Sequence, residues 1–240
     1  MMYTRYWVAA QLASGKRVLE LGCGSGQGLG LVGKRASWLV AGDVSSSLLW
    51  CARSHYGSRV PLVQFSAEAL PFASGVFDVV LLFEASYYIP RMADALREIV
   101  RVLAPAGTAL LVNANPERPD FIRSPYSVHY YTADELRTAL EPLGFVVRVE
   151  GAFPIGSAEG GRSHVSLRLV SLTRRVLESL RLVPRTLRGR ARLKRLLYGK
   201  LDELPGELPE EFAPVAPRMP LGRGPVPNVK VIYVTARKRS

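Results

Sequence analysis

Short apolar runs alternate with segments of helical periodicity along the first 150 residues, a pattern typical of a parallel sheet with helices between its strands. The run Val76–Phe83 is almost entirely apolar, as expected of a central strand buried on both faces. The predicted strands of this region are Arg17–Leu21, Trp38–Asp43, Val60–Phe65, Val76–Phe83, Thr108–Asn113 and Phe145–Val149. The predicted helices are Gln27–Lys34, Ser45–His55, Met92–Leu103 and Thr132–Leu143. The fold class is therefore α/β.

The alternation stops after residue 150 and resumes at Val229–Ala236, a β-rich run that predicts the last strand. Between these points, apolar residues at helical spacing predict two basic helices, His164–Val183 and Leu187–Leu201. Seven prolines then indicate an extended, irregular segment over residues 204–228. We therefore predict seven mostly parallel strands with helices on both faces of the sheet.

Basic charge is concentrated in the region between the last two predicted strands. The formal net charge of the chain is +12, and residues 162–200 hold 12 basic residues against one acid, Glu178. Clustered cations favour phosphates, nucleic acid or acidic lipid headgroups, although arginines on a solvated helix face give the same pattern. We divide the chain into a core, residues 1–151 plus 229–240, and a basic, largely helical insertion, residues 152–228.

Composition excludes several classes of protein. With 48% hydrophobic and 22% charged residues, the chain has the composition of a globular protein rather than a disordered one. Its two cysteines, Cys23 and Cys51, provide neither a disulfide framework nor a paired metal-ligand motif. No apolar segment reaches the roughly 18 residues needed to span a bilayer, and no signal peptide is recognisable. We expect a cytoplasmic protein that binds a membrane at most peripherally.

A glycine-rich turn follows the first predicted strand. Gly22, Gly24 and Gly26 alternate, and Glu20 stands two residues before the first of them. Without Cβ atoms the backbone can approach a ligand closely, and the next helix presents its N-terminus there. This arrangement predicts a nucleotide-like ligand.

A second glycine pattern lies a few residues further on. Gly28, Gly30 and Gly33 match the dinucleotide-binding spacing G-x-G-x-x-G. They fall inside a predicted helix instead of at its start, so we interpret the match as coincidental.

The run Val18–Gly26 resembles motif I of the class I, Rossmann-like methyltransferases that use S-adenosylmethionine (SAM). Asp43 matches the acid that in this family binds the ribose hydroxyls of SAM, although an acid at this position would also suit a helix cap. The resemblance implies SAM as cofactor, S-adenosylhomocysteine as product, and no metal. It implies these cofactor-binding residues: Glu20, Gly22, Cys23, Gly24, Gly26, Asp43, Val44, Ser66, Ala67, Glu68, Phe83 and Glu84.

Two positions depart from the family pattern. Residues 66–72 are similar to the segment D-A-x-x-L-P-F over the adenine, but Ser66 replaces the aspartate. Residues 103–107 resemble the turn L-x-P-G-G, with Ala106 in place of the first glycine. The serine would give a weaker contact to the adenine amine than the carboxylate does.

The candidate catalytic residues are His129, Tyr87 and Tyr88, with Tyr130 and Glu84 in reserve. A general base is needed only if the acceptor is a hydroxyl or a protonated amine, and histidine has a suitable pKa near neutrality. A lone histidine or a tyrosine pair is also common as a structural feature. Arg5 and Tyr6, on a first helix, would close over the cofactor, as first helices do in this family.

The sequence leaves three kinds of acceptor open. The preferred one is a small molecule such as a sugar, a natural product or a lipid-linked intermediate, anionic in some cases, with residues 152–228 as a lid or a membrane-contact element. RNA bound by the arginines is an alternative, but residues 83–86 lack the Asn/Asp-Pro-Pro-aromatic motif of many base-modifying enzymes. The third is a non-catalytic binding subunit that keeps the fold.

Overall fold

The computed structural model describes residues 1–155 and 205–239. The two basic helices predicted at His164–Val183 and Leu187–Leu201 lie outside these residues. Within the described ranges, no helix is long and apolar enough to cross a membrane.

The described residues contain eight strands and five α-helices. The strands are β1 Arg17–Leu21, β2 Trp38–Asp43, β3 Leu62–Gln64, β4 Phe77–Phe83, β5 Leu103–Ala114, β6 Phe145–Pro154, β7 Arg218–Pro220 and β8 Val229–Lys238. The helices are α1 Met2–Leu12, α2 Leu29–Gly33, α3 Ser46–Tyr56, α4 Met92–Val102 and α5 Ala133–Leu140.

The strands form one mixed sheet in the order β3-β2-β1-β4-β5-β8-β6-β7. Strands β1 to β5 pair in parallel, whereas β8 runs antiparallel to both β5 and β6. The chain order reverses between β2-β1 and β4, and ligands of open α/β sheets bind at the carboxyl ends of the strands beside such a reversal. The predicted α/β class and the seven predicted strands are thus confirmed.

The prediction of seven strands was one short. The eighth, β7, lies in the proline-rich segment and pairs antiparallel with β6 through Gly151 and Met219. Proline has no amide hydrogen to donate and is therefore tolerated on an edge strand, which is where Pro220 lies. Residues 205–239 belong to the same compact unit as the sheet. The division into a core and an insertion at 152–228 stays a prediction.

Buried side chains fill both faces of the sheet. On one face, α1 and α2 cover a core that includes Tyr6, Leu29 and Tyr233. On the other, α4 and α5 cover a core that includes Ile99 and Leu136. The N-terminus of α5 has the predicted capping box, in which the Thr132 hydroxyl accepts from the Glu135 amide.

Two of the three glycines of the second pattern, Gly28 and Gly30, are packing residues. A Cβ atom at Gly28 would overlap the ring of Tyr6 from α1, and one at Gly30 would overlap the side chain of Glu207. Helix α2 begins at Leu29 and not at Gln27 as predicted, because the glycine-rich turn continues to Gly28. These contacts explain both glycines without a dinucleotide.

We expect Gly28→Ala to lower the free energy of unfolding by about 1–3 kcal/mol, because the added methyl group displaces the buried Tyr6 ring. Gly33→Ala on the same helix is the matched control: its Cβ would lie 3.5 Å from Leu39, an ordinary contact, so this change should stabilise by up to about 1 kcal/mol. Urea unfolding followed by circular dichroism measures both, and equal effects would contradict the packing explanation.

Candidate cofactor and acceptor site

Three acidic residues meet at the carboxyl edge of the sheet, beside the reversal in strand order. Glu20 is the fourth residue of β1, Asp43 ends β2, and Glu84 directly follows β4. Because β1 pairs in parallel with both β2 and β4, the ends of these strands lie side by side.

The three glycines of the first turn have different environments. All have positive φ values, +72° at Gly22, +58° at Gly24 and +84° at Gly26, which side chains rarely adopt. A Cβ atom at Gly22 would lie 2.8 Å from that of Ala85, and one at Gly26 would lie 3.0–3.2 Å from its neighbours. At Gly24 it would meet nothing within 4 Å. Gly24 is therefore the glycine of this turn whose backbone is open to a ligand.

Asp43 holds the glycine turn in place. Its Oδ2 atom accepts a hydrogen bond from the Gly24 amide and its Oδ1 atom accepts one from the Ser45 amide, both at 2.9 Å. The N-cap of α3 is Ser45 and not Asp43, because the Ser45 hydroxyl accepts from the Leu48 amide. Each carboxylate oxygen keeps a further lone pair with which it can accept a hydrogen bond from a hydroxyl group.

Glu20 is fully buried. The Tyr6 hydroxyl donates to its Oε1 atom at 2.6 Å, whereas Oε2 has no hydrogen-bond partner among the described residues. Burial raises the pKa of this carboxyl to about 7, and the hydrogen bond from Tyr6 only partly opposes that shift. A buried carboxylate oxygen without a partner is uncommon and indicates a polar ligand. The residues of this turn thus fit SAM, which carries an amino group and ribose hydroxyls.

Arg5, Glu84 and Tyr87 form a chain of polar contacts beside the turn. Arg5 Nη1 lies 3.3 Å from Glu84 Oε1, and the Tyr87 hydroxyl donates to Glu84 Oε2 at 2.9 Å. Glu84 has a φ of +51°, an uncommon conformation for a residue other than glycine, and such residues often cluster at functional sites. Burial and the charge of Glu84 raise the pKa of Tyr87 far above its ordinary value, so Tyr87 remains a neutral donor.

Aromatic rings surround Tyr87. Tyr130 stacks on it with ring centroids 4.2 Å apart, and the ring of Tyr88 lies 4.6 Å away. Phe121 packs edge-on against Tyr130. The structure thus brings together the predicted tyrosines and Glu84 at the carboxyl edge.

His129 is not part of that group. Its Nε2 atom lies 3.1 Å from Glu135 Oε1 in the capping box of α5, its ring packs on Tyr131, and its side chain is 48% exposed. Tyr130, by contrast, stacks on Tyr87 and packs against Phe121, so the two neighbouring side chains contact different groups. The proposed catalytic role of His129 stays a prediction, and these contacts do not support it.

The segment predicted to bind adenine forms a tight turn. The Ser66 hydroxyl accepts from the Glu68 amide at 3.2 Å and donates to Glu68 Oε2 at 3.3 Å. The Arg91 amide donates to the other carboxylate oxygen of Glu68 and is the main cause of a lowered pKa there. Ala67 is half-buried within the same turn, and Val44 is exposed beside Asp43. The cofactor contacts of these four residues stay predictions.

The other predicted cofactor residues are buried. Cys23 lies inside the turn, where burial raises the pKa of its thiol. The ring of Phe83 packs edge-on against Tyr6 with centroids 5.3 Å apart. Among the described residues, no group of three or more His, Cys, Asp or Glu side chains is arranged to hold a metal ion.

Sequence analysis missed a buried polar pair at the same edge. The Ser86 hydroxyl donates to Asn113 Oδ1 at 2.6 Å, and Asn113 Nδ2 has no partner among the described residues. An asparagine near the end of the apolar run 108–113 was the available indication, because a polar side chain there adjoins the carboxyl edge.

Comparison with known proteins agrees with this geometry. Residues 19–111 match the family model described as a methyltransferase domain. The chain is 39% identical over 105 residues to a fatty-acid O-methyltransferase of Mycolicibacterium smegmatis, covering 42% of this chain and 38% of that protein. It is 31% identical over 171 residues to the ubiquinone/menaquinone biosynthesis C-methyltransferase UbiE of Xylella fastidiosa, covering 68% and 65% of the two chains. The chain thus spans from just over a third to just under two thirds of the length of these relatives.

Solved structures show the same fold. YcgJ of Bacillus subtilis has a TM-score of 0.63 at 18% identity, covering 98% of each chain. The [4+2]-cyclase SpnF has a TM-score of 0.63 at 19% identity, covering 99% of this chain and 80% of its own.

The sheet has the fold of the class I, Rossmann-like methyltransferases. Residues 19–111 match the methyltransferase domain family, which confirms the resemblance found in the sequence and implies SAM as cofactor.

Replacing Glu20 should change how stability depends on pH. The folded protein keeps the Glu20 proton up to about pH 7, whereas an unfolded chain releases it near its ordinary pKa of 4.5. The stabilising contribution is therefore complete below that ordinary pKa and is lost as pH rises to about 7, a change of about 3 kcal/mol. Glu20→Gln keeps an acceptor for Tyr6 and cannot ionise, so it should gain about that much relative to wild type between pH 4.5 and 8.

Urea unfolding across this pH range measures the difference. Asp78→Asn is the control, because hydrogen bonds from Arg17 lower the pKa of this largely solvated carboxyl, so the Asp78 contribution has the opposite sign. If the free energy of unfolding of wild type and of Glu20→Gln depended on pH in the same way, the raised pKa of Glu20 would be contradicted.

Proposed function

We propose that the protein transfers a methyl group from SAM to a small-molecule acceptor. The observation that carries the proposal is the unpaired, fully buried Oε2 atom of Glu20, placed between Asp43 and Glu84 beside the glycine turn. The matching family model over residues 19–111 supports the same reaction.

The turn residues would hold SAM by complementary polar contacts. Glu20 would accept the amino group of its methionine part, and Arg5, whose buried Nε has no partner among the described residues, would face the carboxylate. Asp43 would accept the ribose hydroxyls while keeping its two backbone hydrogen bonds. When bound, SAM supplies a methyl group that its sulfonium already activates, so the protein has mainly to align the reactants and exclude water.

Glu84 and Tyr87 would act on the acceptor side. Glu84 has one oxygen bound to Arg5 and the other to the Tyr87 hydroxyl, so its carboxylate is held at the edge next to the glycine turn. We propose that Glu84 takes the proton of a hydroxyl acceptor and that Tyr87 fixes the position of the carboxylate. This replaces His129 as the preferred base.

The names of the relatives support an apolar acceptor. They include a fatty-acid O-methyltransferase, phthiotriol/phenolphthiotriol dimycocerosates methyltransferases of Mycobacterium ulcerans, and UbiE. We propose a lipid or lipid-linked acceptor over a sugar, because the ring cluster of Tyr87, Tyr88, Tyr130 and Phe121 provides an aromatic wall.

A non-catalytic binding subunit is the second candidate. Both oxygens of Asp43 already accept backbone amides, and Ser66 bonds to Glu68, so two predicted SAM contacts also have internal partners. Binding of the cofactor separates the two candidates.

We expect S-adenosylhomocysteine to bind, and Asp43→Ala to weaken that binding by about 10- to 100-fold, since a charged acceptor of two hydroxyls is lost. Calorimetric titration measures the affinity. Asp78→Ala is the control: it also removes a carboxylate that accepts a backbone amide, at 2.9 Å from Arg17, but at the opposite edge of the sheet. A folded wild-type protein that does not bind would favour the binding-subunit candidate.

Glu84→Gln should distinguish a base from a structural acid. With a long-chain alcohol as acceptor we expect kcat to fall by about 100-fold or more, because the proton has no acceptor. With a fatty acid as acceptor, whose carboxylate carries no proton at neutral pH, kcat of Glu84→Gln should differ little from that of wild type. Methyl transfer from radiolabelled SAM to both acceptors measures the ratio of variant to wild-type kcat for each, with Glu117→Gln, an acid on the loop after β5 that accepts the Val226 amide, as the control. Equal losses for both acceptors would contradict the role as base.

A further inference from the structure

Exposed apolar side chains are grouped on the rim of the acceptor side. Tyr88, Ile122, Tyr126 and Val128 are 46–61% exposed although all are large and apolar or aromatic. We call these four residues the rim patch. They lie on the turn after β4 and on the loop after β5, both at the carboxyl edge of the sheet.

Hydrogen bonds fix the loop on which the patch lies. The Val128 amide donates to the Tyr87 carbonyl at 2.8 Å, which ties the loop to the aromatic wall. The Tyr88 hydroxyl donates to Ser124 Oγ at 3.4 Å, and Ser124 Oγ also accepts from the Tyr126 amide. The backbone of the patch is thus held while its side chains remain open to solvent.

Cations flank the patch. Arg123 is exposed, and its guanidinium donates to the Ser127 hydroxyl and to the Ser127 and Val128 carbonyls. These partners are neutral, so among the described residues the charge of Arg123 is not paired with a carboxylate. Arg91, three residues beyond Tyr88, is 70% exposed but pairs with Glu68 and Asp94, so it adds less open charge to the patch than Arg123 does. The whole chain carries a formal charge of +12.

We propose that the rim patch is a contact surface for an anionic lipid membrane. Tyrosine rings and aliphatic side chains beside arginines suit the boundary between headgroups and acyl chains, where the apolar part is buried and the charge meets acidic headgroups. A second copy of the chain is a poorer occupant, because two molecules of the same high positive charge repel each other.

The rim patch lies beside the acceptor side of the site. Tyr87 is tied to the patch through Val128 and touches Tyr88, so a membrane against the patch would adjoin the acceptor side of the site. A lipid acceptor would then reach Glu84 with its tail still in the bilayer. This last step rests on the proposed function, whereas the membrane contact does not.

Vesicle sedimentation of the full chain tests the contact, using phosphatidylcholine vesicles with and without phosphatidylglycerol. The variant is Ile122→Ser/Tyr126→Ser, and the control is Trp50→Ser/Val146→Ser, which removes one aromatic and one aliphatic side chain that are 69% and 59% exposed. We expect wild type and control to bind the anionic vesicles, and the rim variant to bind at least about tenfold more weakly. The difference should persist in about 1 M salt, where charge contacts are screened over a few ångströms.

Any of three vesicle results would overturn the proposal: no binding by wild type, equal binding by the rim variant, or equal weakening by the control. A lower oligomeric state of the rim variant in sedimentation velocity would also overturn it, because the patch would then be an interface between copies. S-adenosylhomocysteine binding, measured on the same samples, checks folding. Unchanged vesicle binding with intact cofactor binding would reject the membrane contact and leave the proposed function standing.

Discussion

The hydrogen bond between Tyr6 and the buried carboxyl of Glu20 determines how the first helix meets the sheet. A carboxyl group inside a parallel sheet needs partners, and β1 itself offers Glu20 none, because its backbone is bonded to β2 and β4. Tyr6 supplies one partner from α1, and its ring needs the space that Gly28 leaves open. Arg5, the neighbour of Tyr6, thereby reaches Glu84. One buried acid thus couples α1, the glycine turn and the loop after β4.

The three acids at the carboxyl edge of the sheet have different environments, because each contacts different groups. Glu20 is fully buried, and this burial raises its pKa to about 7. Asp43 is held by two backbone amides, and Glu84 by a guanidinium and a neutral phenol. These environments suit the proposed roles: Glu20 accepts hydrogen bonds from an amino group, Asp43 accepts them from hydroxyls, and Glu84 takes a proton.

Sequence patterns predicted the sheet well, because apolar runs and glycine turns are local features. β1 and β2 have the predicted bounds, and the family motif located the acids Glu20 and Asp43. Contacts between distant segments were not predictable. The proline-rich context concealed β7, whose pairing depends on the exposed edge of β6. His129 lies next to Tyr130 in sequence, but its side chain contacts Glu135 and Tyr131, whereas Tyr130 stacks on Tyr87. No local sequence pattern indicates the Tyr6–Glu20 contact or the Ser86–Asn113 contact.

The central claim is the proposed contact of Glu20 with the amino group of the cofactor, for which the Glu20 carboxyl has to lose its proton. Calorimetric binding of S-adenosylhomocysteine at pH 6, in buffers of different ionisation enthalpy, measures the protons released. Because the pKa of Glu20 in the free protein is about 7, the account predicts release of about one proton per site. The release should disappear in Glu20→Gln and fade above about pH 8. A binding heat that does not depend on the buffer would contradict the account.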